Sequence, residues 1–252
     1  MSKQVILFVV LLALAAVAPL AGLYPVFLMK ALCFAIFACA FNLLLGYTGL
    51  LSFGHAMFLG SAGYVTGHLV KELGWPPEFG ILAGTLAAAA LGYIVGAIAI
   101  RRQGIYFAMT TLALSQMIYF LCVQAMFSGA EDGLQGVPRG KLFGLIDLTS
   151  DLNMYYFVLA IFVFAFWLIY RTIHSPFGQV LKAIRENEPR AISLGYDVDK
   201  YKLLAFVLSA GLAGLAGSTK TMVMQLASLT DVHWHMSGEV VLMTLLGGLG
   251  TV

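Results

Sequence analysis

Long hydrophobic runs, separated by short polar segments, dominate this chain. Runs close to the ~20 residues that an α-helix needs to cross a bilayer recur along it. We predict membrane spans at about 5–22, 26–45, 48–70, 80–100, 105–127, 154–170 and 201–225, and an incomplete eighth span that begins near Met236. The pattern therefore predicts an all-α fold, a polytopic integral membrane bundle of about eight transmembrane segments that forms a single domain over residues 1–252.

Composition supports a membrane protein. Hydrophobic residues make up 61% of the chain and charged residues only 10%, far outside the range of soluble domains. Cys33, Cys39 and Cys122 lie inside apolar runs without metal-site spacing, so we interpret them as small buried hydrophobic residues. The first run follows Lys3 and ends in an alanine-rich stretch, which also fits a signal peptide. Because another apolar run follows at once, a retained first span is the favoured interpretation.

The positions of Lys and Arg predict which ends of the spans face the cytoplasm. One side holds the N-terminus and the segment 171–202, with Lys3, Arg101, Arg102, Arg171, Lys182, Arg185, Arg190, Lys200 and Lys202. The other side holds only Lys71, Arg139 and Lys141, while Lys30 and Lys220 lie near span ends where they can reach outward to the interface. By the positive-inside rule, the N-terminus and the segment 171–202 are cytoplasmic and the loop 128–153 is external.

The segment 171–202 is the longest polar interruption that carries positive charge. It contains signals for two short helices. Ser175 is a good N-cap and Pro176 suits the first helical position, while Pro189 restarts the pattern and Gly195 suits the C-terminal cap. Two capped helices in one loop indicate a segment that contacts a partner; a solvated connector is the open alternative.

Small residues recur every four positions in several predicted spans. They are Gly84, Ala88, Gly92 and Gly96 in the fourth span, Gly63 and Gly67 in the third, and Ser209, Ala213 and Gly217 in the seventh. Such rows let helix backbones approach closely within a membrane. We interpret them as helix-packing positions, which indicates a tight bundle but not what passes through it.

Polar side chains within the predicted spans are candidate positions on a translocation path, because such groups are costly in hydrocarbon. They are Asn42, His55, Thr110, Gln116 and Glu239. Each has a structural alternative. Glu239 can lie in water near the outer interface, His55 can form an interhelical hydrogen bond, and the others can hold helices together.

The sequence carries no motif for chemistry on a substrate. It has no GxxxxGK[ST] segment for ATP hydrolysis and no HExxH, GxSxG or CxxC motif. His233 and His235 lack partners at ligand spacing, so we expect no metal site. We therefore expect no catalytic residues, and moving a solute is a better interpretation than an enzymatic reaction.

Five blocks of sequence resemble one family. They are FNLLLGYTGLLSFGHAMFLGSAGY (41–64), GIYFAMTTLALSQMIYF (104–120), GLQGVPR (133–139), SPFGQVLKAIRENEPRAISLGYDVDKYKLLAFVLSAGLAGLAG (175–217) and SGEVVLMTLLGGLGT (237–251). This series is similar to the inner-membrane permease subunit of branched-chain amino acid ABC importers, LivM type. The blocks follow one another in order and cover nearly the whole chain.

The resemblance implies a set of partners. They are ATPase subunits that bind ATP and Mg, a second related permease, a periplasmic substrate-binding protein, an amino acid substrate and the lipid bilayer, with no nucleic acid. It also implies that this chain binds no cofactor, that it lies in the bacterial inner membrane, and that the loop 128–153 is periplasmic.

The resemblance further implies that the segment 175–195 is the coupling loop that docks into an ATPase, often described by an E-A-A-x-x-x-G pattern. Ala191 and Gly195 match the third and last positions, whereas Pro189 and Arg190 replace the first two and Glu188 lies one residue early. The positions to which we extend the coupling role are Phe177, Ala183, Ile184, Arg185, Glu186, Asn187, Ala191 and Gly195. Arg185 and Glu186 would supply charged contacts, and Phe177, Val180 and Ile184 would supply an apolar face.

Three questions stay open on the sequence alone: the extent of the chain, the substrate and the class of protein. Family members usually continue past the GGLGT segment, so we expect this sequence to be C-terminally truncated. Similar permeases also serve urea, amides or other small solutes. A stand-alone secondary transporter or channel that uses His55 and Glu239 as ion-coupled groups is one alternative from a different class. A membrane scaffold that moves no solute is the other.

Overall fold

The computed structural model of the chain describes residues 12, 14–19, 22, 24–125, 129, 132–142, 144 and 146–250. Most of the predicted first span, 5–22, lies outside the described residues, as does Lys3. The rest of the chain forms a bundle of α-helices, which confirms the predicted all-helical, polytopic class.

Long helices alternate with short connections. The helices are α1 (Pro25–Thr48), α2 (His55–Lys71), α3 (Pro77–Ala99), α4 (Ile105–Gln124), α5 (Asp151–Ile173), α6 (Pro176–Glu186), α7 (Glu188–Ser193), α8 (Val198–Met224) and α9 (Trp234–Gly247). The strands are β1 (Leu134–Gln135), β2 (Lys141–Leu142), β3 (Ile146–Asp147) and β4 (Leu226–Ala227), paired antiparallel as β1–β4 and β2–β3. A 3₁₀ turn spans Leu229–Asp231.

Five of the described helices, α1, α3, α4, α5 and α8, are long and apolar enough to cross a membrane. Helix α2 has 17 residues, which is at the lower limit for a full span, and α9 has 14, which is below it. The predicted count of eight spans is therefore not confirmed, although each predicted span from the second onward contains one helix.

The predicted third span, 48–70, differs most from the structure. Helix α1 continues to Thr48, Gly49 turns into the left-handed region at φ 75°, and α2 begins only at His55. Side chains satisfy backbone groups in the break: the Thr111 hydroxyl accepts from the Phe53 N–H at 3.2 Å. Irregular backbone at membrane depth persists only with such partners.

Helix α8 lies at the centre of the bundle and packs mainly on α1, α2 and α3. Its inward positions are small, and Ala205, Ala213 and Ala216 are fully buried. At Gly217, a Cβ atom would overlap the carbonyl of Leu59 on α2. Close backbone approach of this kind replaces the hydrophobic effect as the driving force for helix association in lipid.

Candidate functional site

Helix α6 begins where the sequence predicts. Ser175 is its N-cap, and the Ser175 hydroxyl oxygen accepts a hydrogen bond from the Gly178 N–H at 3.4 Å. Pro176 occupies the first helical position, where its missing N–H removes no hydrogen bond. The local sequence therefore fixes the direction in which the chain leaves the membrane-spanning helix α5.

Helix α7 follows after a single extended residue, Asn187, whose side chain accepts from the Arg190 N–H at 3.1 Å. It ends in a Schellman motif. Gly195 adopts φ 88°, and the Tyr196 N–H donates to the Ala191 carbonyl at 3.2 Å. Both caps are made by residues of the segment itself, so α6 and α7 form a defined helix pair, which we call the loop pair.

The apolar face of the loop pair packs against the body of the same chain. Ile184, Ala191 and Val198 form a small buried cluster, with exposed fractions of 3%, 2% and 5%. The Phe177 ring stacks on Tyr201 of α8 at a centroid distance of 5.7 Å. Phe177 and Ile184, expected from sequence to form an apolar docking face, contact the body of the same chain, and their part in docking stays a prediction.

Arg185 fastens the loop pair to α1. Its guanidinium Nη1 donates to the carbonyl of Gly46, in the last turn of α1. The Lys182 ammonium lies 5.5 Å from the centre of the Tyr47 ring in the same turn. Carbonyl groups at a helix C-terminus carry a partial negative charge, so two cations at this end are electrostatically favourable.

Glu188 fastens the loop pair to α8. Its Oε1 lies 2.6 Å from the ammonium of Lys202, a residue that is only 4% exposed. The Gln103 side-chain amide, in the turn between α3 and α4, donates to the same oxygen at 3.3 Å. One carboxylate therefore connects α7 with α8 and with the end of α3. This contact could not be predicted from the sequence, because no spacing rule links these three positions.

The opposite side of the loop pair remains exposed and partly apolar. Ile192 is 57% exposed, Leu194 68% and Tyr196 40%. We call these three residues the α7 patch. Ala183 and Glu186 are exposed on the neighbouring helix α6. Clustered apolar side chains at the end of a polar segment are typical of a protein-interaction surface.

His55 lies at the first position of α2, fully buried. Its Nε2 is 2.8 Å from the Ser209 hydroxyl on α8, and that hydroxyl donates to the Ala40 carbonyl on α1 at 2.6 Å. The rings of Phe41, Phe58 and Phe206 surround the imidazole edge to face, with centroids 5.0–5.9 Å away. The contacts are those of an interhelical hydrogen bond, and a place on the translocation path stays a prediction.

Of the other path candidates, Asn42 and Thr110 form hydrogen bonds with separate partners. Asn42 Oδ1 accepts from the Gly250 N–H at 3.0 Å, and Thr110 donates to the Tyr106 carbonyl of its own helix at 2.7 Å. The Nε2 of Gln116 is buried with no hydrogen-bond partner among the described residues.

Glu239 lies in the second turn of α9, and its side chain is 42% exposed. Its Oε1 is 3.3 Å from His235 Nδ1, one helical turn earlier. This placement matches the alternative of a wet carboxylate near an interface. The Tyr47 hydroxyl, on α1, meanwhile donates to the Gly250 carbonyl at 3.0 Å, so the segment after α9 folds back onto α1.

Lys220 does not reach outward, so that expectation is wrong. It is 9% exposed and forms an ion pair with Asp231 of the 3₁₀ turn, itself 6% exposed. Its ammonium also lies 5.1 Å from the centre of the Phe34 ring on α1. A buried cation requires a counter-charge, which the sequence analysis missed because Asp231 follows α8 in a separate element.

The small-residue row of α3 faces α8 and α2. A Cβ atom at Gly92 would overlap Ala210, and one at Gly96 would lie 2.8 Å from Leu203 Cδ1. Ala88 is fully buried. The related positions are Gly84 against Thr66 and Ser218, Gly63 against Thr221, and Gly67 against Leu134 and Val137.

The described residues contain no group of three or more His, Cys, Asp or Glu side chains that could hold a metal ion. The described residues instead form apolar helices long enough to span a membrane, together with the loop pair at one end of the bundle. These features define a polytopic helical membrane protein. A family model described as branched-chain amino acid transport system / permease component matches residues 23–252, and the chain belongs to this family.

Curated relatives carry related descriptions. The high-affinity branched-chain amino acid transport system permease protein LivM of Escherichia coli is 27% identical over 241 residues, and that of Salmonella typhimurium 26%. Each alignment covers 86% of this chain but 57% of the relative. A probable branched-chain amino acid transport permease protein LivM of Methanocaldococcus jannaschii is 26% identical over 252 residues. That alignment covers 85% of this chain and 72% of the relative. No solved structure matches the chain.

Proposed function

We propose that this chain is the transmembrane permease subunit of an ATP-driven ABC importer for branched-chain amino acids. It would form the translocation path together with a second related permease and receive substrate from a periplasmic binding protein. ATP and Mg would be bound by separate ATPase subunits, which the chain would meet through residues 175–195. Family membership and the names of the relatives support this assignment.

The observation that carries the coupling role is the two-sided character of the loop pair. One side is fastened to the bundle by Arg185 and Glu188, and the other exposes the α7 patch. A docking element needs both a rigid attachment to the bundle and an exposed contact surface, because a partner can move the bundle only through a rigidly attached segment. In this proposal the loop pair and the N-terminus lie in the cytoplasm, and the chain lies in the inner membrane.

The contacts of Arg185 and Glu188 would transmit a displacement of the loop pair to the bundle. A push on α6 and α7 would reach α1 through Arg185 and Gly46, and α8 through Glu188 and Lys202. Helices α1, α2 and α8 meet at the His55–Ser209–Ala40 hydrogen bonds. Rigid-body displacement of the loop pair would therefore shift three helices at their junction, as alternating access requires.

Capture of the ATPase subunits from detergent tests the coupling role. The Ile192→Ser/Leu194→Ser variant should recover at least about tenfold less ATPase than the unmodified chain, because it removes the apolar anchors of the interface. Leu73→Ser/Leu152→Ser is the matched control, since both leucines are exposed at the other end of the bundle. Equal recovery with the patch variant and the control would reject docking through α7.

Transport measurements test the rest of the proposal. In proteoliposomes that contain the assembled importer, uptake of leucine should require ATP and should proceed without an ion gradient. Uptake driven by a gradient alone would favour the ion-coupled class instead. Competition by excess isoleucine or valine, but not by urea or amides, would establish the branched-chain substrate class.

A further inference from the structure

A groove opens between the adjoining ends of α3 and α4, on the outer surface of the bundle. It has a volume of about 790 Å³ and is lined by Ala97, Ile98, Arg101, Arg102 and Thr110. The first four residues are exposed. The groove spans the boundary between the apolar helices and the polar turn at 101–104, which is the depth at which lipid headgroups lie.

The two arginines bring charge to the groove without an internal counter-charge. Among the described residues, no carboxylate lies within ion-pair distance of Arg101 or Arg102. The carboxylate contacted from the same turn is Glu188, which accepts from Gln103 and is already paired with Lys202. The groove is therefore a net positive site at the end of two apolar helices.

The walls beyond the arginines are apolar and point outward. Ile94 and Ile98 on α3 are 59% and 53% exposed, and Ile105 and Met109 on α4 are 66% and 61% exposed. Tyr106, 70% exposed, adds an aromatic side chain of the kind enriched at membrane interfaces. A ligand that fits would carry a negative headgroup and long hydrocarbon chains.

We propose that this groove binds an anionic phospholipid, with the phosphodiester between Arg101 and Arg102 and the acyl chains along the exposed faces of α3 and α4. Guanidinium groups form paired hydrogen bonds with phosphate oxygens, which favours arginine over a diffuse positive surface. The charge match selects a lipid over a second helix bundle, whose apolar face would leave both guanidinium groups unpaired.

Binding of phosphatidylglycerol to the purified chain, measured by native mass spectrometry during a lipid titration, tests the proposal. The unmodified chain should bind phosphatidylglycerol in preference to phosphatidylcholine. Each arginine near an anionic lipid should change the affinity about fivefold, so R101Q/R102Q should lose about twenty-five-fold. Excess inorganic phosphate should not displace the lipid, and its displacement by that excess would overturn the assignment to a lipid.

Two further variants make the test specific. R171Q/R190Q removes the same charge from other exposed positions and should retain binding; an equal loss would show general attraction to charge and overturn a defined site. A97W fills the groove but keeps both arginines, so it should also weaken binding, with size-exclusion elution confirming an intact fold. If R101Q/R102Q keeps phosphatidylglycerol but loses association with another permease, the groove belongs to a protein partner and the proposal fails.

Discussion

The Arg185 guanidinium donates a hydrogen bond to the Gly46 carbonyl across a sequence separation of 139 residues. It joins the loop pair to the last turn of α1, near which Asn42 and Tyr47 of the same helix form hydrogen bonds with Gly250. Three parts of the chain therefore meet at one helix end. A displacement of the loop pair cannot leave α1 unaffected while this contact persists.

Removal of the Arg185 contact should uncouple the loop pair from α1. Arg185→Gln leaves the Gly46 carbonyl without its charged donor, and a hydrogen bond to a charged group contributes about 1.5–3 kcal/mol. We expect the stimulation of ATP hydrolysis by substrate, and with it ATP-dependent uptake, to fall while membrane insertion is retained. The measurement is ATP hydrolysis stimulated by substrate in the reconstituted importer.

Arg190→Gln is the control for this prediction, since Arg190 is exposed on α7 and forms no ion pair with another described residue. Both variants remove one positive charge from the loop pair. Unchanged coupling in the Arg185 variant, or equal losses in both, would remove the Gly46 contact from the mechanism.

Close helix packing at Gly217 gives a prediction about stability. Gly217→Ala places a methyl group against the Leu59 carbonyl, which is backbone and cannot rotate away. We expect a loss of about 1–3 kcal/mol in the free energy of unfolding, as for overpacked cores. Thermal unfolding in detergent, followed by circular dichroism, measures the change.

Gly211→Ala, on the same helix, provides a matched comparison. Its added Cβ would lie 3.6 Å from the Ala89 Cβ, an ordinary contact. Replacement of a helical glycine by alanine there should be neutral or should stabilise the chain by up to about 1 kcal/mol. If both variants behaved alike, the approach of α8 to α2 would be looser than described.

The buried ion pair between Lys220 and Asp231 predicts that substitutions at the two positions have non-additive effects on the free energy of unfolding. Lys220→Met alone strands a buried carboxylate and should cost about 3–5 kcal/mol, whereas Lys220→Met/Asp231→Leu should recover most of that loss. The measurement is thermal unfolding of both variants and of Asp231→Leu in the same detergent. Additive losses would mean that the two charges are hydrated independently.

Local signals in the sequence predicted the elements that depend on local physics. The cap at Ser175, the proline at 176 and the glycine at 195 each act within a few residues, so their effect is visible in the sequence. Hydrophobic length likewise predicted α1, α3, α4, α5 and α8. The irregular segment 49–54 was included in the predicted third span, 48–70, because a glycine-rich helix and a satisfied irregular segment have similar composition.

The contacts that organise the candidate site could not be predicted in this way. Arg185 and Gly46, like Lys220 and Asp231, are paired by tertiary packing, and neither spacing follows a helical or strand period. Ile184 illustrates the same limit. Its helical periodicity predicted an apolar face, but only the position of Val198 and Ala191 decides that this face turns toward the bundle.

The exposed position of Glu239 leads to a test that distinguishes an ATP-driven importer from an ion-coupled transporter. Its contact with His235 lies on the outside of one helix, and its side chain is 42% exposed, so neutralising it leaves no buried charge unpaired. Glu239→Gln should therefore keep ATP-dependent uptake within about twofold of the unmodified importer, since exposed ion pairs contribute about 0–1 kcal/mol. The matched variant Asp231→Asn should lose much more activity, because its partner Lys220 is buried. Initial uptake rates in proteoliposomes measure both effects. A loss of uptake in the Glu239 variant that an imposed ion gradient could modulate would contradict the ATP-driven assignment and favour an ion-coupled carboxylate.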